Sequence, residues 1–148
     1  MTDNGRHVIL GAGPLGVALQ ARLEADGVDV SLWGVMGDPA YDMPGTEPQA
    51  VNGNDPAALS EVCADAAVVY LLLNAHYVDW YAFFPGRLMA AITAAASVGA
   101  KLVYHDSIYV YGKTDGPLTE DQPAAASTRK GRLRAVMTGS LMKAIDEG

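Results

Sequence analysis

A chain of 148 residues has the length of one domain and is long enough to bury a real core. Half of it is hydrophobic and 18% is charged, which excludes disorder as the organising state. The net charge of −7 and pI near 4.7 exclude nucleic acid or an anionic membrane as the main partner. Met1 to Arg6 is polar, and no apolar run reaches the about 20 residues a bilayer span needs, so no membrane partner and a cytoplasmic location are expected. Cys63 is the single cysteine, which removes an internal disulfide and a thiolate metal cluster, and no metal site is expected. Beside Val62 and Ala64 on a predicted helix, it reads as a small core residue.

The first predicted element begins at His7. Residues 7–16 read H-V-I-L-G-A-G-P-L-G, in which Val8, Ile9 and Leu10 form the unbroken apolar run of a strand buried on both faces of a parallel sheet. Gly11, Gly13 and Gly16 follow at the spacing G-x-G-x-x-G, the pattern of a phosphate-binding turn. In it the first glycine permits the sharp exit from the strand. The second lets backbone amides approach a pyrophosphate, and the third lets the next helix sit close to the sheet. Pro14 suits the first helical position, and Ala12, Pro14 and Leu15 complete the predicted cofactor-binding loop, whose helix turns its amides and positive end toward an anion. The bland alternative is that the same glycines merely form a tight strand-to-helix turn.

Leu15, Ala18, Leu19 and Leu23 then recur at helical spacing until Gly27. Val28 to Trp33 reads as the second strand. Its end, Trp33-Gly34-Val35, is where an acid would select a ribose 2′-hydroxyl and a base a 2′-phosphate. Neither is present, so the cofactor is NAD or NADP, with Trp33 and Gly34 as candidate adenosine contacts, although a strand tryptophan is more often core. Residues 37–54 read as loop with one short strand at Ala50 to Asn52. Asp55-Pro56 starts a helix, with Asp55 as N-cap and Leu59, Val62 and Cys63 inward. The apolar run Ala67 to Leu73 reads as a central strand that ends at Asn74-Ala75-His76-Tyr77. Ligands bind beyond the carboxyl ends of such strands, which places Asn74 and Ala75 beside the cofactor. His76, without ligand-spaced partners, reads as a loop residue.

Val78 to Val98 reads as helix interrupted at Pro85-Gly86, with Leu88, Met89, Ile92 and Ala95 or Ala96 buried. Gly99 stops it, and Lys101 to Tyr104 forms a further strand. Tyr109 and Tyr111 read as alternating strand-end residues. A last helical stretch over Ala124 to Glu147 is basic from Arg129 to Arg134 and apolar at Leu133, Val136, Met137, Leu141 and Ile145. Strand and helix alternate throughout, which predicts a Rossmann-like, doubly wound parallel α/β domain over residues 1–148, incomplete at its C-terminal side.

From Val103 onward the pattern becomes specific. L-V-Y-H-D-S-I-Y-V-Y-G, then G-P-L-T-E-D-Q-P at Gly116 to Pro123 and R-K-G-R-L-R-A at Arg129 to Ala135, resembles the NAD-dependent epimerase/dehydratase family, within it the atypical branch of the extended short-chain dehydrogenase/reductases. The resemblance implies hydride transfer at a nicotinamide on a small carbonyl, alcohol or sugar-like substrate, with Ser107 hydrogen-bonding the reacting oxygen four residues before Tyr111. It also implies a Tyr-x-x-x-Lys pair on the next helix. No tyrosine follows Tyr111, and Lys130 and Arg134 stand at about those places. Two readings stay open. In the first, Lys130 shuttles the proton or Tyr109 or Tyr111 leans into the site; in the second, the chain is a nucleotide-binding or regulatory module without the acid/base pair, and the cations are left to neutralise a phosphate. A solvated basic face is the bland reading of the same cations, and a structural subunit without cofactor is a third. Members of the family normally continue into a C-terminal substrate-binding portion. The chain is thus expected to be a fragment, or a short form that completes its sheet by pairing with a second copy, which makes a homo-oligomer the expected assembly.

Overall fold

The computed structural model describes residues 5–36, 44–73 and 75–147. Asn74 and part of the predicted loop after residue 36 lie outside the described residues. The chain divides into two compact units, one ending at His105 and one beginning at Asp106.

The first unit is a five-stranded, all-parallel sheet with flanking helices, the Rossmann-like α/β arrangement. Its elements are β1 (Arg6–Leu10), α1 (Pro14–Ala25), β2 (Val30–Val35), β3 (Gln49–Val51), α2 (Pro56–Val62), β4 (Ala66–Leu71), α3 (Trp80–Val98) and β5 (Lys101–Tyr104). The spatial order is β3-β2-β1-β4-β5, so the chain builds outward from β1 to one side and then crosses to the other. The switch of direction falls between β1 and β4, the place beyond whose carboxyl ends open sheets of this kind generally bind ligands. Val8, Ile9, Leu10 and Val69 are fully buried, as strands covered on both faces require. Ile9 and Leu32 pack with Ala12 against Val17, Leu19 and Leu23 of α1. Val8, Leu10, Val69 and Leu71 alternate to the other face, where right-handed crossovers place α2 and α3.

Local chemistry sets several boundaries. The Asp55 carboxylate accepts hydrogen bonds from the amides of Ala57 (2.9 Å) and Ala58 (3.4 Å), and Pro56 occupies the first helical position, so α2 starts as expected. β2 begins two residues later than the apolar run suggests, at Val30, because Val28 still bonds back to Leu23 (3.0 Å) as α1 ends. Pro85 does not interrupt α3, which runs from Trp80 through it to Val98. The inward stripe Trp80, Phe84, Leu88, Ala91 and Ala95 spans the proline and holds both sides of it on one axis. That stripe corrects the predicted one: Met89 is 48% exposed, Ala96 is exposed and Ile92 only half-buried.

In the second unit a single 3-10 turn, Ile108–Val110, leads by an irregular stretch to α4 (Arg129–Glu147). Tyr109 lies in this turn and is 42% exposed. The expected alternating core pair is therefore absent, because the chain leaves the extended conformation after Ser107. Helix α4 starts five residues later than predicted. The Ala125 amide bonds to the Val110 carbonyl (2.9 Å), which holds residues before Thr128 out of the helix, and Thr128 Oγ1 then accepts from the Gly131 amide (3.0 Å). Of its apolar positions, Met137 is buried, whereas Val136 and Ile145 are 67% and 62% exposed.

Candidate functional site

The turn after β1 is shaped for close backbone approach. Gly11 has φ +131°, and a Cβ there would lie 2.6 Å from the Leu72 carbonyl carbon and 2.9 Å from the Leu73 amide nitrogen. A Cβ on Gly16 would collide with the Gly11 carbonyl oxygen. The first glycine is thus pinned against the end of β4, and the third lets α1 rise directly off the loop. Gly13 caps α1 in an extended conformation with no side-chain cap, Pro14 is the first helical residue, and the Gly13 carbonyl accepts from Val17 (3.0 Å). The amides of Leu15 and Gly16 therefore lack an intrahelical acceptor and stand at the positive end of a 12-residue helix. Gly11, Ala12 and Gly16 are buried, Gly13 is half-buried, and Pro14 and Leu15 are exposed. This loop is a cradle that a side chain would fill, and its donors suit an anion such as a pyrophosphate.

At the end of β2, Gly34 is buried and Trp33 half-buried. The Trp33 indole donates to Ser31 Oγ (3.1 Å), which also accepts from Arg6 (3.1 Å). With Met36, Asn52 and Asp55, Trp33 lines a groove of about 520 Å³, so it is neither plain core nor free surface. Ala75 is buried, and its carbonyl accepts from the Trp80 indole (3.1 Å), which fixes the chain as it leaves β4. His76 is exposed. Among the described residues no group of three His, Cys, Asp or Glu could hold a metal ion.

Ser107 and Lys130, the other predicted site residues, belong to the second unit. Ser107 caps the 3-10 turn, its Oγ accepting from the Tyr109 amide (3.3 Å), so its own proton remains available to an acceptor. The Asp106 carboxylate accepts from the Ser107 amide (2.7 Å) and from the Thr138 hydroxyl, and it pairs with Arg134 (3.7 Å). Arg134 is 5% exposed. Residues 129–134 are thus not a uniformly solvated basic face, because one of the cations is turned inward and committed to Asp106. Lys130, one helical turn earlier, has its ammonium buried, and desolvation lowers its pKa from the usual 10.5.

Two buried-charge features escape the sequence reading. Asp106 is separated from Arg134 and Thr138 by a long stretch of chain, and nothing in the sequence announces their pairing. Arg87 is the other. It is 3% exposed, and its Cγ lies 3.7 Å from where a Cβ on Gly53 would stand. Its being the one charge between Asp79 and Lys101 is the signal that could have found it.

No protein-family model matches the chain, and no curated protein matches it. Solved structures do. A protein described as an NAD-dependent epimerase/dehydratase, from Methylobacillus flagellatus, is 21% identical with a TM-score of 0.75, over 94% of this chain and 50% of its own. Uronate dehydrogenase from Agrobacterium tumefaciens is 19% identical with a TM-score of 0.74, over 96% and 56%. A short-chain dehydrogenase/reductase superfamily protein from the same organism, with bound NAD, is 23% identical with a TM-score of 0.70, over 92% and 44%. The chain spans about half the length of the structures it matches, and over that span it has the fold of the NAD-dependent epimerase/dehydratase and short-chain dehydrogenase/reductase proteins.

Proposed function

We propose that this chain binds NAD or NADP at Gly11–Gly16 and serves an oxidoreductase or epimerase acting by hydride transfer on a small carbonyl, alcohol or sugar-like substrate. The observation that carries the reading is the cradle itself: two glycines where a Cβ would strike backbone, below a helix start with uncapped amides. The structural neighbours support it, one of them holding NAD and another a uronate dehydrogenase. Gly11 to Gly16 would hold the pyrophosphate, Trp33 and Gly34 would contact the adenosine, and Ala75 with Asn74 would border the site beyond β4. The cofactor, when bound, supplies or accepts the hydride.

The chain's own contribution is to place an oxygen and move a proton. The Ser107 hydroxyl donates to the substrate oxygen while the Tyr109 amide fixes its lone pair. Desolvation lowers the pKa of Lys130 from its usual value, the direction a proton acceptor needs. Lys130 can take the proton of an alcohol as the hydride leaves carbon, or return it in the reverse direction. One observation favours a second reading, that of a nucleotide-binding module without turnover. Arg134, which stands at about the place where the resemblance expects the lysine, is paired with Asp106 rather than with a tyrosine, and no tyrosine follows Tyr111.

Titration of the protein with NADH and NADPH, followed by nicotinamide fluorescence, tests the binding, and turnover on a carbonyl panel tests the chemistry. Under the enzymatic reading, Ser107→Ala lowers kcat by about 100-fold or more and leaves cofactor binding unchanged. Binding without turnover, indifferent to Ser107→Ala, selects the module. Failure of both nucleotides to bind removes the proposal.

A further inference from the structure

We propose that the solvent face of α4 is an interface for a second copy of this chain, two α4 helices packing antiparallel with their Gly139 residues at the crossing. The inference needs no nucleotide and stands apart from the cofactor reading.

The argument begins with a glycine that the fold itself does not use. Helix α4 holds two, Gly131 and Gly139. Gly131 has an internal reason, because a Cβ there would lie 2.5 Å from the Tyr109 carbonyl oxygen. A Cβ on Gly139 would meet nothing within 4 Å, although a glycine inside a helix weakens it relative to alanine. What a bare position in mid-helix permits is the close approach of another backbone, since the distance between packed helices is set by the side chains at their contact. The surroundings suit such a contact. Gly139 is exposed, and so are Val136 and Met142, three residues to either side of it on the same face. Arg134 and Met137 turn the other way and are buried.

The charges fix the occupant and its direction. Arg132 stands two turns before Gly139 on the exposed face and Asp146 two turns after it, each seven residues away and exposed. Arg132 gives one N–H to the Ser127 carbonyl (2.6 Å) and keeps others to donate. Asp146 has no ion pair among the described residues, whereas the neighbouring Lys143 is paired with Glu147 (3.6 Å). A second α4 laid antiparallel across Gly139 is related to the first by a two-fold axis. It brings its Asp146 level with Arg132, its Arg132 level with Asp146, and its Met142 level with Val136. Parallel packing in register would instead oppose like charges at both ends. The face is thus complementary to itself in one orientation, which selects a copy of the same chain as its partner. A single helix pair is at the small end of specific interfaces, so the dissociation constant is expected on the order of 10 µM. Below that concentration α4 is exposed and its second half opens locally, and above it hydrogen exchange of the same amides slows.

The test is sedimentation equilibrium of the full chain from about 1 to about 200 µM, a range that brackets the expected constant. The mass should rise from that of one chain to that of two. Arg132→Asp and Asp146→Arg should each weaken association by about tenfold or more, and the two together should restore it to within about threefold of the natural protein. Gly139→Gln should weaken association by about tenfold or more while raising the melting temperature, because it fills the crossing yet favours the helix. Cys63 is buried, so a thiol placed on α4 is the reactive one. Under a mild oxidant Gly139→Cys should form a disulfide-linked pair about tenfold faster than Ile145→Cys, which is exposed but lies off this face. A chain that stays monomeric throughout the range overturns the proposal. So does a dimer that neither Arg132→Asp nor Gly139→Gln weakens, which would assign the second copy to another surface. A double charge exchange no tighter than the single variants, or equal cross-linking at the two cysteine positions, overturns the antiparallel crossing at Gly139.

Discussion

At Gly16 the absence of a side chain does two jobs, because one methyl would strike the Gly11 carbonyl and both the packing of α1 and the shape of the phosphate cradle depend on that contact. Gly16→Ala should therefore cost about 2 kcal/mol, within the range for overpacking a tight site, seen as a lower urea midpoint. It should also abolish NADH binding under conditions where the variant is still folded. Cys63 illustrates the opposite case, a residue whose environment silences it. It is buried without exposure, and desolvation, partly offset by the Arg6 charge, raises its thiol pKa from 9.0 to about 11. The folded state thus favours the neutral thiol. That contribution is fully present below pH 9, declines as pH rises through the interval up to about 11, and is lost above it. Stability measured from pH 8 to 11 should fall more steeply in the natural protein than in Cys63→Ala. Alkylation of the native thiol at pH 8 should be slower than that of the urea-unfolded chain by about 100-fold or more.

The elements were legible to different depths for physical reasons. β1, the glycine turn and the start of α2 were readable because their causes are local: an apolar run, a spacing of glycines, an Asp-Pro cap. The passage of α3 through Pro85 was not, because it depends on tertiary burial of Trp80, Phe84 and Leu88, which outweighs a local breaker. A proline inside a helix forfeits one hydrogen bond and crowds the preceding turn, at about 3 kcal/mol, and recovers only about 0.4–1 kcal/mol by restricting the unfolded chain. Pro85→Ala should accordingly stabilise the protein by about 2 kcal/mol, raising its melting temperature without changing its helical circular dichroism. No change in melting temperature would mean that α3 has adapted its backbone to the ring. In the candidate site the glycine cradle was legible and the Asp106–Arg134–Thr138 cluster was not. Sequence placed Arg134 where a lysine was expected and offered both a solvated face and a site role. Only the fold brings Asp106 within reach, and its carboxylate converts a surface-like run of cations into an internal tether beside Ser107.

The whole molecule divides its stability unevenly. Residues through His105 form one compact unit, whose central strands β1 and β4 are bonded on both sides and whose largest fully buried side chains, Ile9, Leu10, Leu59 and Leu88 among them, all belong to it. The unit from Asp106 onward has little beyond α4, a helix of 19 residues that buries only Gly131, Arg134 and Met137 while Val136, Met142 and Ile145 are exposed. Isolated helices of this length are marginal in water, and helical stability in proteins comes mainly from a buried face. Opening free energies should track this contrast. In native-state hydrogen exchange, amides of β1 and β4 should exchange only through global unfolding. Amides of the second half of α4 should exchange at least about 100-fold faster, through local opening whose rate does not respond to low urea. Uniform protection across both units would show that α4 is buried to an extent its own residues do not provide. The consequence for function is direct. Under the proposed function, Ser107 and Lys130 would act from a unit that buries little apolar surface among its described residues, so proton transfer would be more exposed to local opening than cofactor binding at the turn after β1, whose strand is bonded on both sides.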